Sequence, residues 1–102
     1  MHEIHKQAAA EDDLVDIWRY SFETWGAEQA DLYLDVLNEG MAGLAHNPRL
    51  GADYSHIRAG YRRLPIRHHI VYYRLQTARI EIVRVLHERM DPDRHLASPA
   101  EC

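Results

Sequence analysis

Eight histidines are the first feature of this 102-residue sequence that suggests chemistry, because clustered imidazoles bind metal ions. Their spacing argues against a metal site. His68 and His69 are neighbours in a stretch rich in β-branched residues, and adjacent side chains on a strand point to opposite faces. His87-Glu88 could begin a His-Glu-x-x-His zinc motif, but Asp91 stands where the second histidine belongs. We therefore expect no metal and no other cofactor.

Nucleophilic catalysis also lacks the residues that it needs. Ser21 and Ser55 do not stand in the histidine-and-acid arrangement that activates a hydroxyl, and the single cysteine, Cys102, is the last residue. The sequence has no glycine-rich phosphate loop. The acids of the first half lie mainly on the polar faces of two predicted helices, and we expect them to be solvated: Asp12, Asp13, Asp16, Glu23, Glu28, Asp31, Asp35 and Glu39.

The arginines are the remaining candidates for a functional site. Residues 1–50 carry three cations against ten acids, whereas residues 51–102 carry nine arginines against six acids, so the net charge of −4 conceals an acidic half and a basic half. Arginine recognises carboxylates and phosphates through planar, two-point hydrogen bonding. The division indicates a surface for an acidic or nucleic-acid partner, although an arginine-rich codon usage would produce the same composition.

The first half of the sequence predicts two helices, against which the elements that carry the arginines must pack. Apolar residues recur every three or four positions from Leu14 to Trp25, and again from Ala27 to Ala45. Gly26 separates the two runs and Pro48 stops the second, which predicts an antiparallel helical hairpin. Before the first helix, His2–Lys6 is short enough to be an edge strand.

The second half of the sequence changes to strand patterning. Tyr61–Ile66, His69–Leu75 and Ile80–His87 are rich in β-branched and aromatic residues, and the last of them is apolar enough to be the central strand. The predicted order is β-α-α-β-β-β. We expect an α+β domain over residues 1–96, with the helical hairpin packed on one face of a small, mostly antiparallel sheet, followed by a short tail, residues 97–102.

Arg84 lies inside the predicted central strand, where strict alternation would place it on the same face as Ile82 and Leu86. A cation between apolar neighbours is unfavourable unless it is paired or opens into a cleft. One interpretation is an ion pair between Arg84 and a helix acid. The other is a basic groove on the uncovered face of the sheet that offers a set of cations to an acidic partner: Arg62, Arg63, Arg84, His87 and Arg89.

Several short blocks of the sequence resemble the ParE toxins of the RelE/ParE superfamily. They keep the order and spacing of that family from about Ile4 to Leu96. The most specific blocks are Gly60-Tyr61-Arg62-Arg63 and Val83-Arg84-Val85-Leu86-His87. The other blocks are Asp13-Leu14, Asp16-Ile17-Trp18 with Tyr20, Trp25-Gly26, Gln29-Ala30 with Tyr33, Asn47-Pro48 with Gly51, Ile57-Arg58-Ala59, Val71-Tyr72-Tyr73-Arg74 and Met90-Asp91.

The resemblance implies the toxin half of a type II toxin–antitoxin system, neutralised by a ParD-like antitoxin. ParE relatives poison DNA gyrase, so the resemblance implies an inhibitor and not an enzyme. RelE relatives instead cut mRNA on the ribosome, and in that alternative the catalytic residues would be His87, Arg62 and Arg84. The basic half has no lysine, and its last block follows the gyrase-poisoning branch more closely. A further alternative is an inactive protein of the same fold that only binds its antitoxin.

The resemblance and the basic half together give the expected binding residues. For the antitoxin these are Arg62, Arg63, Arg84, Trp18 and Tyr33, and for the target they are His87, Arg89, Met90 and Arg94. The sequence contains no apolar run of the length that spans a membrane, so we expect no membrane partner. A single cysteine fits a reducing, cytoplasmic compartment. We expect no direct sequence-specific DNA binding by this chain alone.

Overall fold

The computed structural model describes residues 2–96, which form a helical hairpin packed against a five-stranded sheet. Met1 and the predicted tail, residues 97–102, lie outside the described residues. The predicted order of elements is confirmed, with two short elements added, β2 and α3. The elements are β1 (Glu3–Lys6), α1 (Ala8–Trp25), α2 (Ala27–Ala42), β2 (Ala52–Asp53), β3 (Tyr61–Ile66), β4 (His69–Leu75), β5 (Arg79–His87) and α3 (Pro92–His95).

The helical hairpin turns at Gly26, as predicted. The N–H of Gly26 donates to the carbonyl of Phe22 and ends α1, while its own carbonyl accepts the N–H of Ala30 at the start of α2. The φ of Gly26 is +96°, a conformation that residues with a Cβ rarely adopt. The helical periodicity that extends to Ala45 is also confirmed, although its last turn, Gly43–Ala45, tightens into a 3-10 helix.

The sheet has the strand order β1-β5-β4-β3-β2, in which β1 runs parallel to β5 and the other neighbours are antiparallel. The prediction that Ile80–Leu86 forms the central strand was wrong by one position. β4 is the middle strand, and β5 lies between β4 and β1. The difference arises because β2 extends the opposite edge, and a two-residue strand has too few positions to show an alternating pattern.

Both faces of the sheet are covered. The helix-facing core joins α1 and α2 to residues such as Val71, Tyr73 and Ile82. On the opposite face a second cluster contains Tyr54 and Leu96. Because the second cluster is built from the loop before β3 and the segment after β5, the prediction of an uncovered basic face was wrong.

A β-bulge in β5 decides where the side chain of Arg84 points. Tyr73 pairs with Ile82 and Tyr72 pairs with Arg84, so Val83 is one extra residue in β5. Ile82 and Val85 therefore both pack in the helix-facing core, whereas Leu86 belongs to the opposite cluster. The prediction that Arg84 shares a face with Ile82 was wrong, because one inserted residue reverses the alternation beyond it. Arg84 and Leu86 both follow the bulge and stay on one face, as predicted.

Gly51 lies where the chain passes against β3 and β4. A Cβ at this position would be 2.7 Å from both the carbonyl oxygen of Arg63 and the hydroxyl of Tyr73. We expect Gly51→Ala to lower the free energy of unfolding by about 1–3 kcal/mol, because neither contact atom can move freely. Urea denaturation measures this change.

Gly43→Ala is the matched control. A Cβ at Gly43 would meet nothing within 4 Å in the described part of the chain, and its φ of −61° is helical. Alanine there should raise the free energy of unfolding, by up to about 1 kcal/mol. Equal stability of the Gly51→Ala variant and the wild type would contradict the packing at Gly51.

Candidate functional site

A groove of about 990 Å³ lies between the helical hairpin, the ends of β4 and β5, and the segment that follows β5. Its helical side includes Tyr20 and Leu32, and its far rim includes Met90. These three apolar side chains are exposed although they stand beside one another around one concave surface. Contiguous exposed apolar surface of this kind is typical of binding sites in folded domains.

The floor of the groove is a neutral tyrosine–histidine pair. The hydroxyl oxygen of Tyr33 lies 2.6 Å from Nδ1 of His69, and it also accepts the backbone N–H of His68 at 3.3 Å. Burial lowers the pKa of His69 to about 4, with further lowering from the nearby His87 and His68. Burial also raises the pKa of Tyr33. At neutral pH the Tyr33 hydroxyl therefore donates to an uncharged His69, and neither group is poised to exchange a proton.

The lowered pKa of His69 predicts a dependence of stability on pH. The unfolded chain protonates this histidine below about pH 6.5, whereas the folded chain resists protonation down to about pH 4. The contribution of His69 is therefore complete above pH 6.5 and is lost as the pH falls through that window. Allowing for partial exposure of the ring, we expect the free energy of unfolding to fall by roughly 1–2 kcal/mol.

Urea denaturation across this range, with His69→Gln and His46→Gln, measures the effect. The stability difference between the wild type and His69→Gln should shrink as the pH falls. His46→Gln is the control for the substitution itself, because His46 is exposed and lies outside the groove. Parallel profiles for the wild type and His69→Gln would contradict the buried, neutral state of His69.

Arg84 reaches the wall of the groove and forms an ion pair with Asp13 of α1. Its Nε and Nη2 donate to the two carboxylate oxygens of Asp13, both at 2.7 Å, and Nη1 donates to the carbonyl of His95 at 3.0 Å. The hydrogen bonds to Asp13 raise the pKa of Arg84. The ion-pair interpretation of Arg84 is confirmed, and the expectation that Asp13 is a solvated acid was wrong.

Asp13 occupies its position because β1 is short. Pairing along that edge of β5 ends where the N–H of Gln7 donates to the carbonyl of Ile82. One turn into α1, the carboxylate of Asp13 accepts the N–H of Val85 at 2.9 Å. The same carboxylate thus accepts a backbone N–H that the sheet leaves unpaired at its edge, and it balances the charge of Arg84. Both contacts explain why an acid lies on the sheet-facing side of the helix.

The other predicted arginines do not join Arg84. Nε of Arg62 donates to the carbonyl of Gly51 at 2.9 Å, whereas the guanidinium of Arg63 lies 5.6 Å from the centre of the Tyr54 ring. Arg62 and Arg63 are consecutive on β3 and point to opposite faces. The structure therefore contradicts the predicted basic groove of Arg62, Arg63, Arg84, His87 and Arg89, of which Arg84 and His87 alone line the observed groove.

The residues of the ribonuclease alternative are also separated. Through the strand register, Arg62 is level with Ile82, whereas His87 is level with Ile66 of β3. That difference is roughly 14 Å along the strands at about 3.4 Å per residue. The ring of His87 instead packs edge-to-face with that of His69, with 5.2 Å between the ring centres.

Of the two predicted aromatic residues, Tyr33 lines the groove and Trp18 lies outside it. Nε1 of Trp18 donates to Asp31 at 2.9 Å, and its ring stacks on Phe22. Sequence reasoning did not single out Tyr20 or Leu32 as binding residues. A usable signal was present, because both are large and apolar and both fall off the buried stripe of their helix.

The residues predicted to bind the target lie on one stretch of chain. His87 ends β5 at the groove, and Arg89, Met90 and Arg94 are exposed on the segment that follows. The side chain of Asp91 caps α3 by accepting the N–H of Asp93 at 3.0 Å. The structure therefore brings the four residues to the far rim of the groove and its surroundings, and their role in target binding stays a prediction.

Two general features of residues 2–96 bear on the kind of site present. In that part of the chain, no three or more His, Cys, Asp or Glu side chains are grouped so that they could hold a metal ion. Among the same residues, every helix is too short or too polar to cross a membrane.

The sequence from residue 4 to residue 92 matches the family model described as the ParE toxin of the type II toxin–antitoxin system parDE. The chain belongs to the ParE toxin family of type II toxin–antitoxin systems. Toxin ParE1 of Mycobacterium tuberculosis is 43% identical over 89 residues, which cover 86% of this chain and 91% of the relative. Toxin ParE1 of Caulobacter vibrioides is 44% identical over 87 residues, which cover 85% and 90%.

The fold is similar to that of a chain from the chromosomal ParDE toxin–antitoxin system of P. aeruginosa. The TM-score is 0.76 at 21% sequence identity, and the match covers 85% of this chain and 96% of the other. At that identity the likeness concerns the fold, and it confirms the predicted α+β architecture.

The two sequence blocks that most specifically resemble the ParE family contain arginines with structural contacts. Within those blocks, Arg84 is held by Asp13 and Arg62 by the carbonyl of Gly51. Both arginines therefore make bonds within this chain's own fold. The groove, by contrast, presents exposed apolar residues such as Tyr20 and Leu32.

Proposed function

We propose that this ParE-family toxin is neutralised by a ParD-like antitoxin that lays an apolar helix in the groove, and that the free toxin inhibits DNA gyrase. The observation that carries the first half is the groove itself, lined by exposed apolar residues of α1, α2 and the segment after β5. Amphipathic helices bind such grooves through residues spaced at three and four positions. An antitoxin segment that folds as it binds would supply such a helix.

The charges around the groove support an acidic residue on the antitoxin at one end. Arg67, at the turn between β3 and β4, is exposed, and it forms no ion pair with any carboxylate of residues 2–96. Arg84 is unavailable because Asp13 already holds it. We therefore propose an apolar antitoxin helix with an acid near Arg67, in place of the arginine cluster expected from the sequence alone.

Gyrase is proposed as the target because the sequence resembles the gyrase-poisoning branch. The chemistry of the site supports an inhibitor over a ribonuclease. Arg62 and His87 lie far apart along the strands, and Arg84 is already paired with Asp13. His69 is too weak a base to take a proton efficiently near neutral pH. Since gyrase acts on DNA inside the cell, the proposal places the toxin in the cytoplasm.

Two assays on the purified chain test the target. We expect the toxin to block supercoiling of plasmid DNA by gyrase and to leave mRNA intact on translating ribosomes. Cleavage of mRNA without an effect on gyrase would favour the RelE-type activity instead. Binding to the antitoxin with neither effect would indicate an inactive protein of the toxin fold.

A further inference from the structure

The segment after β5 is held at two consecutive carbonyls by two arginines from different parts of the chain. Nη1 of Arg84 donates to the carbonyl of His95, and Nε of Arg58 donates to the carbonyl of Leu96, each at 3.0 Å. The side chain of Leu96 is fully buried in the cluster on the sheet face opposite the helices. Arg58 belongs to the loop between β2 and β3, so the two bonds join elements that are distant in sequence. We call the hydrogen bonds from Arg58 and Arg84 to these two carbonyls the clasp.

This segment depends on such contacts for its conformation. α3 has four residues, and a helix of that length does not persist on its own in water. Its internal backbone bonds are few, and they include Arg94 N–H to Asp91 and Leu96 N–H to Pro92. Hydrogen bonds from a charged guanidinium are roughly twice as strong as neutral ones. The two arginines and the buried Leu96 therefore set where Met90 and Arg94 stand.

We infer that Arg58 is a positioning residue for target binding, which acts through the carbonyl of Leu96 to fix the segment from Met90 to Leu96. The inference rests on the proposed function and on the prediction that His87, Arg89, Met90 and Arg94 bind the target, which is gyrase in that proposal. Arg58 lies outside the groove, whereas Arg84 lines it and also binds Asp13. Loss of Arg58 would shift the Met90 rim of the groove and leave its helical wall in place, so it should impair target binding more than antitoxin binding. Loss of Arg84 would also free Asp13 on the helical wall, so it cannot separate the two.

The test compares the full-length wild type with Arg58→Ala and Arg58→Lys in three measurements. We expect Arg58→Ala to speed amide hydrogen exchange at Arg94 and Leu96 by about tenfold, the effect of one lost charged hydrogen bond. Gyrase inhibition should weaken by about tenfold as well, while affinity for the antitoxin should fall by no more than about threefold, because the helical wall of the groove is unchanged. Arg58→Lys, which keeps one cationic donor, should recover part of both losses.

Arg19→Ala provides the control, because Arg19 is an exposed arginine on α1 that pairs loosely with Asp16. It should leave all three measurements unchanged. Unchanged exchange in Arg58→Ala would overturn the clasp, and faster exchange with unchanged inhibition would overturn its role in target binding. An equal loss of antitoxin affinity would overturn the separation. If the wild type fails to inhibit gyrase, the proposed function fails, while the exchange measurement still decides the clasp.

Discussion

Leu32→Glu is expected to weaken binding of the antitoxin on the order of 100-fold, the size of a hot-spot loss at a protein interface. Leu32 lies on the helical wall of the groove, with 53% of its surface exposed in the free chain. An antitoxin helix would bury Leu32. A carboxylate in its place would lose its hydration on binding without gaining a hydrogen bond or an ion pair. Isothermal titration with the antitoxin measures the change.

Val15→Glu is the matched control for Leu32→Glu. Val15 is 54% exposed, lies on α1 of the same hairpin and stands outside the groove. The two substitutions thus add the same charge to helix positions of equal exposure. Affinity should stay within about threefold of the wild type for Val15→Glu. Equal losses in the two variants would contradict the groove as the antitoxin site.

Asp13→Ala is expected to lower the free energy of unfolding by about 3 kcal/mol, the second large effect. The substitution leaves Arg84, whose side chain is 23% exposed, without its carboxylate partner. It also removes the acceptor of the Val85 N–H at the edge of the sheet. Denaturant titration of the variant measures the loss.

Asp16→Ala, one turn further along α1, supplies the comparison. Asp16 pairs with Arg19 at 3.7 Å, and both side chains are more than half exposed, so its loss should change stability by less than about 0.5 kcal/mol. The double variant Asp13→Ala/Arg84→Met should regain much of the stability, since an apolar pair replaces a stranded charge. A cost for Asp13→Ala no larger than that for Asp16→Ala would contradict the buried ion pair.

Regular periodicity made most of this fold predictable. Helical spacing and Gly26 indicated the hairpin, and β-branched runs indicated β3, β4 and β5. The errors occur where a pattern is interrupted or too short. The bulge at Val83 reverses the face of the residues after it, and a single sequence carries no signal for one inserted residue. Leu96 reaches the second core from an irregular segment, so its burial could not be inferred from alternation.

Part of the candidate site was predicted, but the prediction rested on a cluster of cations, whereas the structure shows an apolar groove. Tyr33, Arg84, His87 and Met90 meet at one groove. Charge alone placed the arginines together, and it could not reveal that Arg84 is already paired with Asp13. Leu32, off the buried stripe of its helix, indicated an apolar partner surface more directly.

The central claim, that an antitoxin in the groove silences a gyrase inhibitor, is tested most directly by supercoiling assays with antitoxin present. The wild type and Leu32→Glu would each be used at the concentration that halves supercoiling in the absence of antitoxin. Antitoxin is predicted to restore supercoiling with the wild type and to fail with Leu32→Glu at the same dose. Equal restoration with both proteins, or no inhibition by the wild type at any concentration, would contradict the account.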